Sequence, residues 1–195
     1  DGRFLACGTD RSTILVWEPL KERGVVTLAG HSDDISSVTF NAHGQILASA
    51  SYDQTVRLWN VETCKTCGCF RHSDKVYSVA FSPDGKTLAS ACGDGSVQLW
   101  EVFTGKARAT LLGNGGAVTS VCFSPDGRFL ACGTWNASIT LWEAKVHKRP
   151  RGDESVICAP TLSRPICART CAAWPPPAPS SRPARSAAAT DAWPW

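Results

Sequence analysis

Residues 55–60 read TVRLWN, a short run of β-branched and apolar residues that closes on a tryptophan. Runs of this kind end at four tryptophans spaced 42, 41 and 42 residues apart, namely Trp17, Trp59, Trp100 and Trp142. A fixed period of about 40 residues indicates a repeat architecture, in which each unit buries its apolar surface against its neighbours. One stretch is duplicated outright, since Asp1–Thr9 and Asp126–Thr134 both read DGRFLACGT.

Each period contains four short runs of strand-forming residues separated by turn residues. Ser82–Gly85 and Ser124–Gly127 both read SPDG, and Asn41–Gly44 fills the same position as NAHG. Proline presets φ in such a turn, aspartate bonds back to the backbone, and glycine accepts positive φ. The pattern therefore predicts an all-β fold built from four-stranded antiparallel sheets. We expect these sheets to stack face to face, because strands such as Leu88–Ala91 carry small or apolar residues without a clean alternation.

These features together resemble the WD-repeat β-propeller family. The family signature is Gly-His near the start of a repeat and Trp-Asp at its end, matched here by Gly30-His31 and Trp59-Asn60. The resemblance covers residues 1–143 and implies an incomplete propeller whose first unit is truncated. The repeat units are 1–18, 24–60, 67–101 and 107–143.

The resemblance also implies a buried hydrogen-bond relay of His, Ser or Thr, Asp and Trp in each blade. By position, the second unit carries the complete set: His31, Ser51, Asp53 and Trp59. The third unit carries a thiol in place of the hydroxyl: His72, Cys92, Asp94 and Trp100. The fourth unit has no ionisable member: Asn114, Thr134, Asn136 and Trp142. The first unit retains Thr9 and Trp17, with Arg11 at the aspartate position.

Two chemical readings of these residues compete with the structural one. Ser51, His31 and Asp53 include the residue types of a hydrolase triad, but they recur at the repeat period and lack a nucleophile elbow. We therefore expect no catalytic residues and no enzyme. Cys64, Cys67, Cys69 and His72 offer zinc-ligand types, but no second C-x-x-C pair accompanies them. We expect neither a metal nor another cofactor.

Composition divides the chain near Glu143. Residues 1–143 carry a net charge of −2 (12 Lys+Arg, 14 Asp+Glu), whereas residues 144–195 carry +5 (8 and 3) and nine of the 12 prolines. The second segment is predicted to be a mostly disordered tail, although Ser155–Cys158 is an alternative source of the last blade's outer strand. The chain has no methionine and begins mid-repeat, which favours a fragment. The tail is also compatible with a splice or reading-frame change.

The family resemblance implies protein–protein interaction, as a scaffold or adaptor that presents propeller loops to a partner peptide or domain. The candidate contact residues lie in loops before strand starts and are slightly acidic, which favours a basic partner: Ser32, Asp33, Asp34, Ser73 and Asp74. One alternative is a nucleic-acid-associated protein that uses the basic residues His147–Arg151. Another is an aberrant isoform without independent function. The net charge of +3 is too small to argue for nucleic acid, and no run of about 18 apolar residues indicates a membrane span.

Two further expectations concern the whole chain. Cys7, Cys92, Cys122 and Cys132 lie within strand-like runs, where thiols act as small hydrophobes, which favours an intracellular location in the cytoplasm or nucleus. An open set of blades also exposes apolar faces and strand edges, so we expect self-association.

Overall fold

The computed structural model describes residues 2–20, 24–113, 115–148 and 154–162, and within them it contains strands and turns only. The strands are, in chain order, β1 (Leu5–Gly8), β2 (Thr13–Trp17), β3 (Val26–Ala29), β4 (Ile35–Phe40), β5 (Ile46–Ser51), β6 (Thr55–Asn60), β7 (Lys65–Arg71), β8 (Val76–Phe81), β9 (Thr87–Cys92), β10 (Ser96–Glu101), β11 (Ala107–Leu112), β12 (Val118–Phe123), β13 (Phe129–Thr134), β14 (Ile139–Lys148) and β15 (Glu154–Leu162). In the described part of the chain, no helix is long and apolar enough to span a membrane.

The strands form four antiparallel meanders, which confirms the predicted fold class. Blade 1 is the three-stranded sheet β1–β3, and blades 2, 3 and 4 are the four-stranded sheets β4–β7, β8–β11 and β12–β15. The predicted turns join the first two strands of blades 2 to 4. Gly44, Gly85 and Gly127 end these turns with φ of 67°, 69° and 70°, a conformation that glycine adopts without a Cβ clash.

The core lies between the blades, because the two middle sheets bury apolar residues on both faces. All six residues of β9 are buried, and β5 is buried from Leu47 onwards. Phe70 of blade 2 stacks on Trp100 of blade 3 with ring centroids 4.8 Å apart. Blades 1 and 2 approach closely at Gly8, where a Cβ would lie 2.4 Å from Ile35 Cγ2. A glycine is therefore required at this contact.

The boundary predicted near Glu143 is wrong in the structure. Strand β14 continues to Lys148, and β15 pairs with it from Glu154 to Leu162 as the outer strand of blade 4. The alternative that placed an outer strand at Ser155–Cys158 describes this part of the chain correctly. The rest of the predicted tail, residues 163–195, lies outside the described residues.

Candidate functional site

Blade 2 contains a buried chain of hydrogen bonds that joins a loop to two strands. The Trp59 indole Nε1 donates to Ser49 Oγ at 2.8 Å, and Ser49 Oγ lies 2.7 Å from His31 Nε2. The other ring nitrogen, His31 Nδ1, lies 2.7 Å from Asp53 Oδ2. A neutral imidazole with its proton on Nδ1 satisfies every link, because Ser49 then donates to Nε2 and Nδ1 donates to the carboxylate.

The protonation states of this relay follow from burial and hydrogen bonding. Burial lowers the pKa of His31 and outweighs the stabilising Asp53 carboxylate, so the ring is neutral at pH 7. Burial alone would raise the pKa of Asp53, but hydrogen bonds from the Thr55 hydroxyl, the Ser32 amide and His31 lower it on balance. Thr55 Oγ1 donates to Asp53 Oδ1 at 2.7 Å. The carboxylate therefore stays ionised and fixes the loop that carries His31.

The serine of this relay is Ser49, and the placement of Ser51 in it is corrected by the geometry. Both side chains lie on the same face of β5, because side chains alternate with a period of two along a strand. Trp59 stands opposite Leu47, which brings its indole nitrogen to the next residue on that face, Ser49. Ser51 instead donates to the Asp33 carbonyl at 3.0 Å and accepts from the Asp53 amide at 3.1 Å.

Blade 3 keeps only part of this arrangement. The hydroxyl under the tryptophan is that of Ser90, which accepts from Trp100 Nε1 at 2.8 Å and lies 3.3 Å from the Gln98 carbonyl. Cys92, the predicted relay thiol, points to the Asp74 carbonyl instead, with Sγ 3.6 Å from it. Both ring nitrogens of buried His72 lack a hydrogen-bond partner among the described residues.

The carboxylate of blade 3 is held by hydroxyls rather than by its histidine. Asp94 accepts from the hydroxyls of Ser73 and Ser96, at 2.6 Å for Ser96. Partial burial would raise the pKa of Asp94, but these bonds outweigh burial and lower it to about 2. Burial lowers the pKa of His72 to about 4, and nearby Asp94 offsets only a little of this effect.

Blade 4 lacks the relay hydroxyl. Cys132 occupies the position of Ser49 and Ser90, and the buried Trp142 Nε1 has no hydrogen-bond partner among the described residues. Thr134, the predicted relay member, lies 2.6 Å from the Ser138 hydroxyl and also donates to Asn136 Oδ1. The predicted member Asn114 lies outside the described residues.

Sequence reasoning missed five hydroxyls of these networks: Ser49, Thr55, Ser90, Ser96 and Ser138. Their signal was the repeat period itself, because Ser49 and Ser90 align with Cys7 and Cys132, two residues before the positions that were chosen. The networks join parts of one blade and are largely closed to solvent, with the His31 and Asp53 side chains 1% and 5% exposed. This arrangement fits a structural role and leaves no room for a substrate at the hydroxyl.

The predicted contact residues lie in two equivalent loops at one end of the blades, which we call the loop face. Ser32, Asp33 and Asp34 join β3 to β4, and Ser73 and Asp74 join β7 to β8. Ser32, Asp33 and Ser73 are exposed, whereas both Asp34 and Asp74 are half-buried. The loops also carry structural bonds, since the Ser32 amide donates to Asp53 Oδ2 at 3.0 Å and the Asp34 carbonyl accepts from the Tyr52 amide at 3.0 Å.

An aromatic row that the sequence analysis did not identify crosses the loop face. Tyr52 of blade 2, Tyr77 of blade 3 and Trp135 of blade 4 contact edge to face, with ring centroids 5.6 and 6.5 Å apart. Trp135 is 73% exposed. Lys75 Nζ lies 4.9 Å from the centre of the Tyr52 ring, so the row already accommodates one cation.

Gly93 makes the row continuous. Tyr52 and Trp135 both follow the second strand of their four-stranded blades, and Gly93 holds the same position in blade 3. A Cβ at Gly93 would lie 2.8 Å from Asp74 Oδ2 and 3.3 Å from Tyr77 Cε2. The absent side chain therefore leaves room for the Tyr77 ring between its two neighbours.

The cysteines do not assemble into a reactive or metal-binding cluster in the described residues. No group of three or more His, Cys, Asp and Glu side chains there could hold a metal ion. Cys64, Cys67 and Cys69 are exposed free thiols on blade 2. Cys92 and Cys132 are buried, as expected for small hydrophobes, whereas Cys7 and Cys122 are exposed in this structure.

The repeated four-stranded blades and their tryptophan relays define a WD-repeat β-propeller. The chain belongs to the family described as the IFT122 first beta-propeller, whose model matches residues 1–159. WD-repeat propellers generally mediate protein–protein interactions, and they are generally scaffolds rather than enzymes.

Curated relatives share one to two repeats with this chain. It is 39% identical over 61 residues to the periodic tryptophan protein 2 homolog of Schizosaccharomyces pombe, covering 31% of this chain and 7% of that protein. It is 40% identical over 57 residues to the Notchless protein homolog of Arabidopsis thaliana, covering 29% and 12%. It is 36% identical over 59 residues to the guanine nucleotide-binding protein subunit beta of Schizosaccharomyces pombe, covering 30% and 19%. The matched segments thus span less than a fifth of each relative.

Proposed function

We propose that this protein is a scaffold or adaptor that holds a partner protein on its loop face. The observation that carries the proposal is the aromatic row of Tyr52, Tyr77 and Trp135. Tyrosine and tryptophan contribute much of the binding energy at protein interfaces, because they bury a large area at a small cost in side-chain entropy. Trp135 is 73% exposed, so folding buries only a small part of its surface and most of it remains for a partner.

The charges beside the row support a basic partner segment. Asp33, Asp34 and Asp74 belong to the loops that border it, with Lys75 as a basic neighbour. Arginine and lysine side chains bind aromatic faces through cation–π contacts and pair with carboxylates at the rim. We therefore propose an extended Arg/Lys-containing segment as the partner's contact, with Asp33, Asp34 and Asp74 at the edge of the site.

The free thiols favour an intracellular location, cytoplasmic or nuclear.

The partner proposal predicts a sharp effect at the aromatic row. Peptides selected on the full chain from a random display library should be enriched in Arg and Lys, and Trp135→Ala and Tyr77→Ala should each weaken their binding at least tenfold. Losing one well-packed interface aromatic costs about 2 kcal/mol, which is more than a tenfold change in Kd. Titration of a labelled selected peptide by fluorescence anisotropy measures the effect.

The matched control is Phe103→Ala, because Phe103 is 80% exposed but lies on the β10–β11 hairpin at the other end of blade 3. This variant should bind as the parent chain does. Equal binding by Trp135→Ala, or selected peptides without basic enrichment, would contradict the proposal. Replacing Lys148, Arg149 and Arg151 together with glutamine tests the nucleic-acid alternative without removing β15, and loss of oligonucleotide binding by that variant would favour the alternative.

We also propose that the chain self-associates head to tail through its two end faces. The tryptophan of each blade packs on the preceding blade. Trp59 packs with Ile14 of blade 1 and is 2% exposed, whereas Trp17 of blade 1 is 47% exposed. At the other end, Ile139 holds the position of Ile14 and is 50% exposed, compared with 0% for Ile14. The two faces are complementary halves of the contact that blades 1 and 2 already make.

This arrangement predicts a mixing result. Trp17→Lys and Ile139→Lys should each reduce association of the full chain in sedimentation velocity, because a lysine cannot be buried unpaired at such a contact. An equimolar mixture should form a one-to-one heterodimer, since each variant retains the face that the other has lost. Phe103→Lys serves as the control and should associate as the parent does. A monomeric parent chain, or a mixture without heterodimer, would show the idea to be wrong.

A further inference from the structure

Lys75 places its side chain on the aromatic row of the loop face. The residue is exposed, and its Nζ lies 4.9 Å from the centre of the Tyr52 ring in the preceding blade. Within the part of the chain that the structure describes, Lys75 forms no ion pair. The Tyr52 ring is therefore the contact that holds the ammonium. Because an exposed cation–π contact is weak, a second cation is able to displace it.

The backbone of Lys75 is fixed at both ends of the residue. Its amide donates to Asp74 Oδ1 at 2.7 Å, and its carbonyl accepts from the Gly93 amide at 2.8 Å. Asp34, at the equivalent position of blade 2, is held by the same main-chain bond, since its carbonyl accepts from the Tyr52 amide at 3.0 Å. The side chain at this position therefore starts from a fixed point, and its reach toward the preceding blade depends on the residue type.

The boundary between blades 2 and 3 combines a cation at this position with a ring opposite it. The residue directly before the first strand is Asp34 in blade 2, Lys75 in blade 3 and Ala117 in blade 4. Ala117 carries no charge, and blade 3 presents Gly93 at the position where blade 2 presents Tyr52. Blades 2 and 3 are both four-stranded, so the contact joins two blades of the regular type.

We propose that Lys75 is a specificity-determining residue of the aromatic row, which competes with the cation of a basic partner for the face of Tyr52. This role rests on the proposed function, because it requires that the row binds an Arg/Lys segment. Two cations on one ring face repel each other, so the partner has to displace Lys75 or bind at Tyr77 and Trp135 alone. Lys75 thereby weakens every basic segment and selects those that bring enough further contacts to displace it.

The test measures binding of fluorescein-labelled octa-arginine to the full 195-residue chain by anisotropy. The buffer contains about 0.15 M salt, which screens exposed charges more than about 8 Å apart. Lys75→Met keeps the aliphatic stem but removes the competing cation, and should bind about threefold more tightly than the parent chain. Lys75→Arg should bind as the parent does, because its guanidinium occupies the same ring face.

The matched control is Arg71→Met, which removes an equal charge from an exposed residue at the end of β7. This variant should leave the affinity nearly unchanged. A second background then shows whether Lys75 acts through Tyr52. In a Tyr52→Leu chain, Lys75→Met should add nothing to the affinity, because no ring face remains to be freed.

Nuclear magnetic resonance tests the contact without any peptide. The ε-methylene protons of Lys75 should resonate upfield of an ordinary lysine, because they lie over the Tyr52 ring. The signal should return to the ordinary position in Tyr52→Leu. An ordinary position in the parent chain would overturn the proposal.

The peptide results distinguish failure of this role from failure of the proposed function. If Lys75→Met binds octa-arginine no more tightly than Arg71→Met while Trp135→Ala still weakens binding, Lys75 is not a competitor and the row remains a binding site. If Trp135→Ala and Tyr77→Ala both bind as the parent chain does, the row is not the site and both proposals are wrong.

Discussion

Replacing Ser49 with alanine is expected to lower the free energy of unfolding by about 2–4 kcal/mol. The Ser49 hydroxyl contacts both His31 Nε2 and Trp59 Nε1, so its removal leaves two polar atoms unpaired. The site is closed to water, since Ser49 is 0% exposed and Trp59 is 2% exposed. A buried donor or acceptor without a partner costs about 1–3 kcal/mol. Chemical denaturation of the parent and the variant at pH 7 measures the difference.

Substitutions at the two equivalent positions, Ser90 and Cys132, provide comparisons for Ser49→Ala. Ser90→Ala should cost about half as much, because Ser90 serves Trp100 Nε1 but not His72. Cys132→Ser should stabilise the protein by about 1 kcal/mol, because it gives Trp142 Nε1 an acceptor and its own hydroxyl can donate to the Thr140 carbonyl, which Cys132 Sγ already approaches at 3.6 Å. An equal loss for Ser49→Ala and Ser90→Ala would mean that the His31 link contributes nothing.

Acidification from pH 6.5 to 4.5 is expected to destabilise the fold through His72 by about 2–3 kcal/mol. Burial holds the pKa of His72 at about 4 in the folded chain, below the ordinary histidine pKa of 6.5. Between these values the unfolded chain takes up a proton and the folded chain does not. The stability is therefore fully present above pH 6.5 and is lost as the pH falls toward the folded pKa. Burial lowers the pKa of His31 too, which acts in the same direction.

His72→Asn removes this titration and should reduce the pH dependence over the same interval, leaving the contribution of His31. Asparagine stands at the equivalent position of blade 4, Asn114, so the repeat tolerates it. The matched control is His43→Asn, because His43 is exposed in the β4–β5 turn and its replacement should leave the slope unchanged. Denaturation curves over this interval measure the slope. Carboxylates of ordinary pKa begin to titrate near the lower end of this interval, so the difference between each variant and the parent chain isolates the contribution of the histidine. A slope for His72→Asn equal to that of the parent chain would contradict the assignment.

Local residue patterns were enough to place most strands of the fold. The run that ends at Trp59 and the turn at Ser82–Gly85 each specify a short antiparallel element, because alternation, branching and turn chemistry act within a few residues. The repeat period then fixed how these elements recur. The boundary at Glu143 failed because β15 has no repeat counterpart in sequence, and its place in blade 4 depends on pairing with β14 across residues 149–153.

The sequence by itself determined the blade unit and its period, because these follow from local propensity and from spacing along the chain. The residue types of the relay were implied by the family resemblance. Only the tertiary structure decided which serine lies under the indole. Ser49 and Ser51 share one face of β5, and their roles are separated by the register of β6 against it. It also decided that His31 has hydrogen-bond partners whereas His72 has none among the described residues, because Asp94 accepts from the hydroxyls of Ser73 and Ser96. The aromatic row exists only because three blades stack side by side, which brings together residues that are 25 and 58 positions apart in Tyr52, Tyr77 and Trp135.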